Sequence, residues 1–174
     1  MTQHIAAALR TILPTPLTHL SSFASLNKDY LAPTDTIHVI AKSSTNFHGI
    51  VELTFAMPTE SSPSPDHITV TGTEGWLSVT ETTFPSSGQD GIRVTIKSVI
   101  KTHGKPNTEI ETIIDEPQNG VQVELESFFL AVEGKVDGLE LGNPKGALQD
   151  VAFIQAALNS HGQLVNLEQL ISQT

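Results

Sequence analysis

The sequence predicts an α+β protein, built as an open, mostly antiparallel sheet of about seven strands with helices packed on one face. The stretch from Gly49 to Thr80 alternates apolar and polar residues, as in Val51-Glu52-Leu53-Thr54, which is the pattern of a strand with one buried face. The same alternation recurs on both sides of this stretch, whereas helical spacing is confined to the two ends of the chain. Strands in a run, with helices set apart from them, are typical of α+β proteins.

In chain order, a helix is predicted over residues 2–13, because apolar residues share one face and Pro14 ends the run. Strands follow at residues 17–26 and 36–44. The stretch 49–80 contributes the next strands and is expected to form the middle of the sheet. Two more strands are predicted at residues 92–102 and 108–115.

Helical spacing returns after these strands. It predicts one helix over residues 121–132 and another from Pro144 to about Leu158. The second helix is expected to bury Ala147, Val151, Ile154 and Leu158. Residues 164–171 are expected to form a short strand or a turn of helix.

Composition narrows the range of functions. At 174 residues the chain is expected to form one domain over residues 1–174. Its formal net charge of −10 opposes nucleic-acid binding, and no basic run compensates for it. There is no cysteine, no apolar run long enough to cross a membrane and no signal-peptide pattern. A cytoplasmic protein without nucleic-acid or membrane partners is therefore expected.

Several motifs together resemble one protein family. They are His4-Ile5-Ala6-Ala7-Ala8-Leu9-Arg10, Asp35-Thr36 opening a strand, Gly49 to Phe55, Val70 to Leu77, and Ala147-Leu148-Gln149-Asp150-Val151 followed by Ala156-Ala157 and Ser160. In this order they are similar to the C-terminal α/β domain of Gfo/Idh/MocA-type oxidoreductases. The resemblance implies an open antiparallel sheet with helices on one face, whose other face helps form a substrate pocket and commonly a subunit interface.

The sequence also departs from that family. It contains neither a G-x-G-x-x-G phosphate loop nor the family's Glu-Lys-Pro motif. The aspartate that accompanies the helical histidine in the family would precede Met1, so only His4 carries over. We therefore expect no cofactor, no NAD(P) binding and no hydride transfer by this chain alone.

Two sets of residues are candidates for chemistry. The resemblance suggests His4 as a proton-transferring residue, and the alternative is that it merely lies near the start of a terminal helix. The second set lies on the outward face of the sheet, where Glu52 is the predicted catalytic carboxylate and the predicted substrate-binding residues are His38, Lys42, Thr54, Arg93 and Lys97. The alternative for this face is a solvated or dimer-facing sheet.

The seven histidines show no ligand spacing, so no metal site is expected. Three functions remain open. The first is a cofactor-independent, non-redox enzyme of the isomerase, cyclase or lyase type, acting on a small molecule, for example in natural-product tailoring. The second is a non-catalytic dimerisation or partner-binding module, and the third is a truncated NAD(P)-dependent dehydrogenase. In each case a homodimer through the open sheet face is expected, because this face includes exposed apolar side chains such as Ile40.

Overall fold

A computed structural model describes residues 2–57, 59, 66–85, 87–101, 107–135 and 144–172, with side chains from residue 5 onward. The chain divides into two compact units. The first unit comprises residues 1–60 and 138–174, and the second comprises residues 61–137. The prediction of a single domain over the whole chain stays a prediction.

The described part of the first unit contains a four-stranded antiparallel sheet, here called sheet A, and three α-helices. Its helices are α1 (Thr2–Ile12), α3 (Pro144–Asn159) and α4 (Leu167–Ser172), and its strands are β1 (Leu17–Ser25), β2 (Thr36–Ser43), β3 (His48–Thr54) and β8 (Val165–Asn166). The strand order is β3-β2-β1-β8. A short 3-10 turn, Asp29–Leu31, lies between β1 and β2.

Among its described residues, the second unit contains another four-stranded antiparallel sheet, sheet B, and one helix. Its elements are β4 (His67–Gly72), β5 (Gly75–Thr83), β6 (Asp90–Ile100), β7 (Thr108–Pro117) and α2 (Gly120–Val132). The four strands pair in sequence order, β4-β5-β6-β7. Thr73 and Glu74 join β4 to β5, and Gly75 has a φ of 155°, which L side chains rarely adopt.

One face of sheet A is covered by helices. Leu20 of β1 is fully buried and packs with Val39 of β2 and with Phe153 and Ala156 of α3 in one hydrophobic cluster. Ala6 of α1 belongs to the same cluster, so α1 lies on the covered side of the sheet. The opposite face carries exposed side chains from three strands and is called the open face.

Small side chains bring α3 close to β1. The Ser22 hydroxyl donates a hydrogen bond to the carbonyl oxygen of Ala157 at 2.6 Å, and the Ser22 backbone N–H donates to Ser160 Oγ at 2.7 Å. Both serines are buried, so their hydroxyls and the Ser22 backbone N–H require these hydrogen bonds in place of water.

The α+β class and the antiparallel pairing are confirmed, and the strands number eight among the described residues. One detail of the expected architecture is wrong. The stretch 49–80 does not form the middle of one sheet, because β3 is an edge of sheet A and β4 an edge of sheet B. Phe55, which follows the end of β3, is 45% exposed.

The buried side of α3 also differs from the expectation. Val151 is 56% exposed and Ala147 is exposed too, whereas Ile154 and Leu158 pack against the core while partly buried. The residues that α3 buries fully are Gly146, Ala152, Phe153, Ala156 and Ala157. The physical reason is distance: the alanines let the helix approach β1 closely enough for the Ser22 and Ser160 hydrogen bonds, which a stripe of larger side chains would prevent.

Candidate functional site

The open face of sheet A carries the largest group of the predicted site residues. Strand register places His38 opposite Glu52, Ile40 opposite Ile50, and Lys42 opposite His48 on β2 and β3. Because side chains alternate along a strand, all six point to the same side of the sheet. The sequence correctly assigned His38, Lys42 and Glu52 to one face.

His38 and Glu52 form a cross-strand pair at the middle of this face. The distance from His38 Nε2 to Glu52 Oε1 is 3.6 Å, and the two side chains are 54% and 67% exposed. A carboxylate beside an imidazole can orient the ring and stabilise its protonated form. The pair is therefore held on two hydrogen-bonded strands and remains accessible to a ligand.

Thr54 lies at one end of the open face, where its hydroxyl belongs to a hydrogen-bond network within the protein. Its hydroxyl is 2.9 Å from that of Thr36, and Thr36 in turn donates to the carboxylate of Asp35 at 3.0 Å. Asp35 is almost fully buried and also accepts hydrogen bonds from the backbone N–H groups of Asn27 and Lys28. Burial by itself raises the pKa of Asp35, but these hydrogen bonds outweigh it and lower the pKa overall.

Lys42 lies at the other end, where a cavity of about 500 Å³ opens. Here His19 of β1, Lys42 of β2 and His48 of β3 are consecutive partners across three strands. The cavity is lined by Thr18, His19, Lys42, Ser43, Ser44, Asn46, Phe47, His48 and Glu168. Sequence reasoning did not bring His19 and His48 together with Lys42. The signal was present only in the register, since the three residues are far apart in the chain.

The remaining predicted substrate-binding residues, Arg93 and Lys97, lie in the second unit, on β6. Arg93 donates two hydrogen bonds to Asp115, at 2.7 and 2.8 Å, and Lys97 Nζ lies 3.0 Å from Glu111. Hydrogen bonding and the opposite charge of the acid raise the pKa of Arg93 and of Lys97. Both cations are therefore already engaged by carboxylates, and within the second unit they serve the cross-strand pairing of β6 with β7.

His4 belongs to α1, but its side chain lies outside the described part of the structure. The helix itself is on the covered side of sheet A, whereas His38 and Glu52 are on the open side. The structure does not bring α1 onto the polar face. A role for His4 stays a prediction that is separate from the His38–Glu52 pair.

Two of the family-like motifs meet in an ion pair. Arg10 of α1 donates hydrogen bonds to both carboxylate oxygens of Asp150 on α3, at 3.0 and 3.3 Å. Gly146 lies against the Arg10 guanidinium, where a Cβ would come within 2.8 Å of it. These motif residues therefore fix how α1 packs on α3, and they lie on the covered side of the sheet.

The expected absence of a cofactor and of a metal site stays a prediction. All strand pairings among the described residues are antiparallel, whereas dinucleotide-binding folds are built from parallel βαβ units with a glycine-rich loop before a helix. In the same part of the chain, no three His, Asp or Glu side chains converge as a metal site requires. None of its helices combines the length and apolar character that a membrane crossing demands.

No family model matches the sequence. Dehydrogenase FPY6 of Fusarium mangiferae is 28% identical over 162 residues, which are 90% of this chain and 41% of that protein. The solved structure of an oxidoreductase from Thermotoga maritima is 26% identical, covers 97% of this chain and 43% of its own, and has a TM-score of 0.62. An oxidoreductase from Agrobacterium radiobacter, solved with NAD+, L-tartaric acid and magnesium, is 16% identical and has a TM-score of 0.70. The match covers 98% of this chain and 48% of that protein.

The chain thus spans less than half the length of each of these proteins. The matches run over nearly the whole of this chain and confirm the family resemblance of its sequence.

Proposed function

We propose that the chain binds a small molecule on the open face of sheet A and catalyses a non-redox proton transfer there. Its fold is similar to that of the C-terminal domain of Gfo/Idh/MocA-type oxidoreductases. The observation that carries the proposal is the exposed pair His38–Glu52, with 3.6 Å between Nε2 and Oε1. The reaction class is isomerisation, elimination or cyclisation, none of which needs a nicotinamide.

The chemistry follows from the two groups. Neutral His38 takes a proton from the substrate, and the carboxylate of Glu52 stabilises the imidazolium that forms. The same proton is then returned to another substrate atom in an isomerisation or cyclisation, or to a leaving group in an elimination. Phe23, Ile40 and Ile50, which are 69%, 64% and 78% exposed, offer an apolar surface beside the pair.

The test is turnover without NAD(P) on a panel of carbonyl and polyene compounds. Glu52→Gln and His4→Ala are each expected to lower the rate about tenfold or more, the latter reporting on the separate prediction for His4. Glu81→Gln, an exposed strand carboxylate of sheet B, is the matched control and should leave the rate unchanged. Rates equal to buffer across the panel, or full activity of Glu52→Gln on an identified substrate, would overturn the proposal.

A second candidate function is one half of an NAD(P)-dependent dehydrogenase. The observation that favours it is the 28% identity to Dehydrogenase FPY6, of which this chain matches 41%. Sub-millimolar NAD(P) affinity of the chain in calorimetry supports the dehydrogenase, and turnover without NAD(P) supports cofactor-independent chemistry.

A third candidate is a dimerisation module, and we propose a homodimer through the open face. Its support is the exposed apolar group Phe23, Ile40 and Ile50. Light scattering at micromolar concentration should give twice the chain mass of 18.7 kDa, and Ile50→Lys should halve it. Ile100→Lys, at a residue of sheet B that is 50% exposed, is the control. A monomeric mass of the unmodified protein contradicts the dimer.

A further inference from the structure

We infer that the cavity at the Lys42 end of sheet A binds a small metabolite that carries a phosphate group. Three neighbouring strands each contribute one basic side chain to this cavity, because His19 pairs in register with Lys42 and Lys42 with His48. The inference concerns binding alone and is independent of any proton transfer at His38 and Glu52.

Lys42 differs from the cations that are paired elsewhere in the chain. Arg10 is bound to Asp150, Arg93 to Asp115 and Lys97 to Glu111. No carboxylate lies within ion-pair distance of Lys42 Nζ in the described part of the chain. The register partners of Lys42 on both neighbouring strands are histidines, and the acid of the cavity lining, Glu168, forms no ion pair with it.

The register places Lys42 between two imidazoles. Side chains directly opposite each other on antiparallel strands lie about 5 Å apart, so one anion can reach all three groups. A bound dianion attracts the ammonium group of Lys42 and favours the protonated form of both imidazoles, which then donate hydrogen bonds to it. Lysine and imidazole N–H groups are among the usual donors to phosphate oxygens.

Local hydrogen bonds hold the two imidazoles in place. His48 Nδ1 lies 3.3 Å from the carbonyl oxygen of Asn46, and His19 Nδ1 lies 3.0 Å from Thr18 Oγ1. Because a carbonyl oxygen only accepts, His48 donates through Nδ1, and its Nε2 donates to a phosphate oxygen when the ring is protonated. Thr18 Oγ1 also lies 3.3 Å from the carbonyl oxygen of Lys42, which ties β1 to β2 at the cavity.

The rest of the lining fits the remainder of a phosphorylated metabolite. The cavity has a volume of about 500 Å³ and is open to solvent, so a small metabolite can enter it. Ser43, Ser44 and Asn46 supply neutral hydrogen-bonding groups, and Phe47 supplies an apolar wall. Glu168 repels a phosphate but accepts hydrogen bonds from hydroxyl groups, so the lining favours a phosphate ester of a hydroxylated molecule over free phosphate.

The experiment uses glycerol 3-phosphate, inorganic phosphate and glycerol as probes, with the full chain, by calorimetry and by NMR shifts of the backbone amides. We expect glycerol 3-phosphate to bind with a Kd of about 1 mM or below, more tightly than inorganic phosphate, and glycerol not to bind. Lys42→Met should weaken binding about tenfold and His19→Gln or His48→Gln about threefold each. Shifts should centre on residues 42–48.

Two control variants sharpen the result. Lys101→Met removes the same charge from an exposed position in the second unit and should change the Kd less than about twofold. Glu168→Gln should strengthen binding of inorganic phosphate, because it removes the acid from the lining. Absence of saturable binding up to about 10 mM, or equal affinity of Lys42→Met and the unmodified chain, would overturn the inference. Since binding is measured directly, these outcomes are separate from those of the turnover assay.

Discussion

The two four-stranded sheets differ in what covers them. In the first unit, α1, α3 and α4 bury one face of sheet A around Leu20 and Phe153. In the second unit, Gly91 is the one buried residue among those described, and no residue of α2 is buried. Phe128 and Phe129 of α2 are each 60% exposed. Antiparallel pairing alone therefore builds a sheet, but a helix layer is needed to build a hydrophobic core.

The difference implies an uneven distribution of stability. Burial of apolar surface is the dominant favourable term in folding, and in the described residues it is concentrated in the first unit. Sheet B is held mainly by its main-chain ladder, because cross-strand ion pairs such as Arg93–Asp115 contribute little when exposed. The predictions below compare matched positions in the two units.

The largest effect is expected for Leu20→Ala. Leu20 has no exposed surface, so truncation leaves a cavity and should cost about 2–5 kcal/mol of the free energy of unfolding. Leu77→Ala removes the same atoms from a half-buried position of β5 and should cost less than half as much. Urea unfolding followed by circular dichroism gives the loss, and Trp76, the single tryptophan, reports on sheet B. Equal losses would refute the contrast.

Ser160→Ala is expected to have the next largest effect. It removes the acceptor of the Ser22 backbone N–H, at 2.7 Å in a buried position, and should cost about 1–3 kcal/mol. The control is Thr80→Val in sheet B, where the hydroxyl donates only a 3.5 Å bond to the carbonyl of Arg93; its cost should stay below about 0.5 kcal/mol. Thermal unfolding of both variants is the measurement, and a stable Ser160→Ala would show that another group or a water satisfies Ser22.

A smaller effect is expected for the ion pair between α1 and α3. Arg10 and Asp150 are 31% and 15% exposed, and their coupling in a double-mutant cycle with Arg10→Met and Asp150→Asn should be about 1 kcal/mol. The same cycle for Arg93 and Asp115, which are 42% and 37% exposed, should give a weaker and more salt-sensitive coupling. The comparison fails if the exposed pair couples more strongly at physiological salt.

The smallest effect concerns pH. The folded pKa of Asp35 lies below its ordinary value of 3.8, so its ionised form stabilises the fold above that pH, and this stability is lost as the pH falls through the folded pKa. Asp35→Asn should therefore lower Tm most near neutral pH, with the difference closing below about pH 4. The comparison in sheet B is Asp115→Asn, because the Arg93 hydrogen bond lowers the pKa of Asp115. Its difference in Tm from the unmodified protein near neutral pH should be smaller. A gap for Asp35→Asn that is constant with pH would contradict the assignment.

Local patterns in the sequence predicted most of the elements. The alternation in Thr36 to Ser43 and the helical spacing after Gly120 are set by neighbouring residues, and both elements form where they were expected. The assignment of His38 and Glu52 to one face followed from the same period of two. These features need no knowledge of distant contacts.

Other features depend on contacts between distant segments. Nothing in the Pro- and Ser-rich stretch after Met57 says whether β3 pairs with β4, and the division into two sheets was therefore missed. The burial of Ala152 and Ala156 instead of Val151 depends on how closely α3 approaches β1. The row of His19, Lys42 and His48 exists only once the register of three strands is known.

The position of β3 at the edge of sheet A has a consequence for solubility. An edge strand presents unpaired main-chain groups that can recruit a strand from another molecule, and proteins usually protect such edges with charge. The β7 edge of sheet B has four acids, Glu109, Glu111, Asp115 and Glu116, whereas β3 has Glu52 alone. Loss of this carboxylate should promote fibrous or amorphous aggregation, so the aggregation state of Glu52→Gln must be measured before a lower rate is assigned to chemistry.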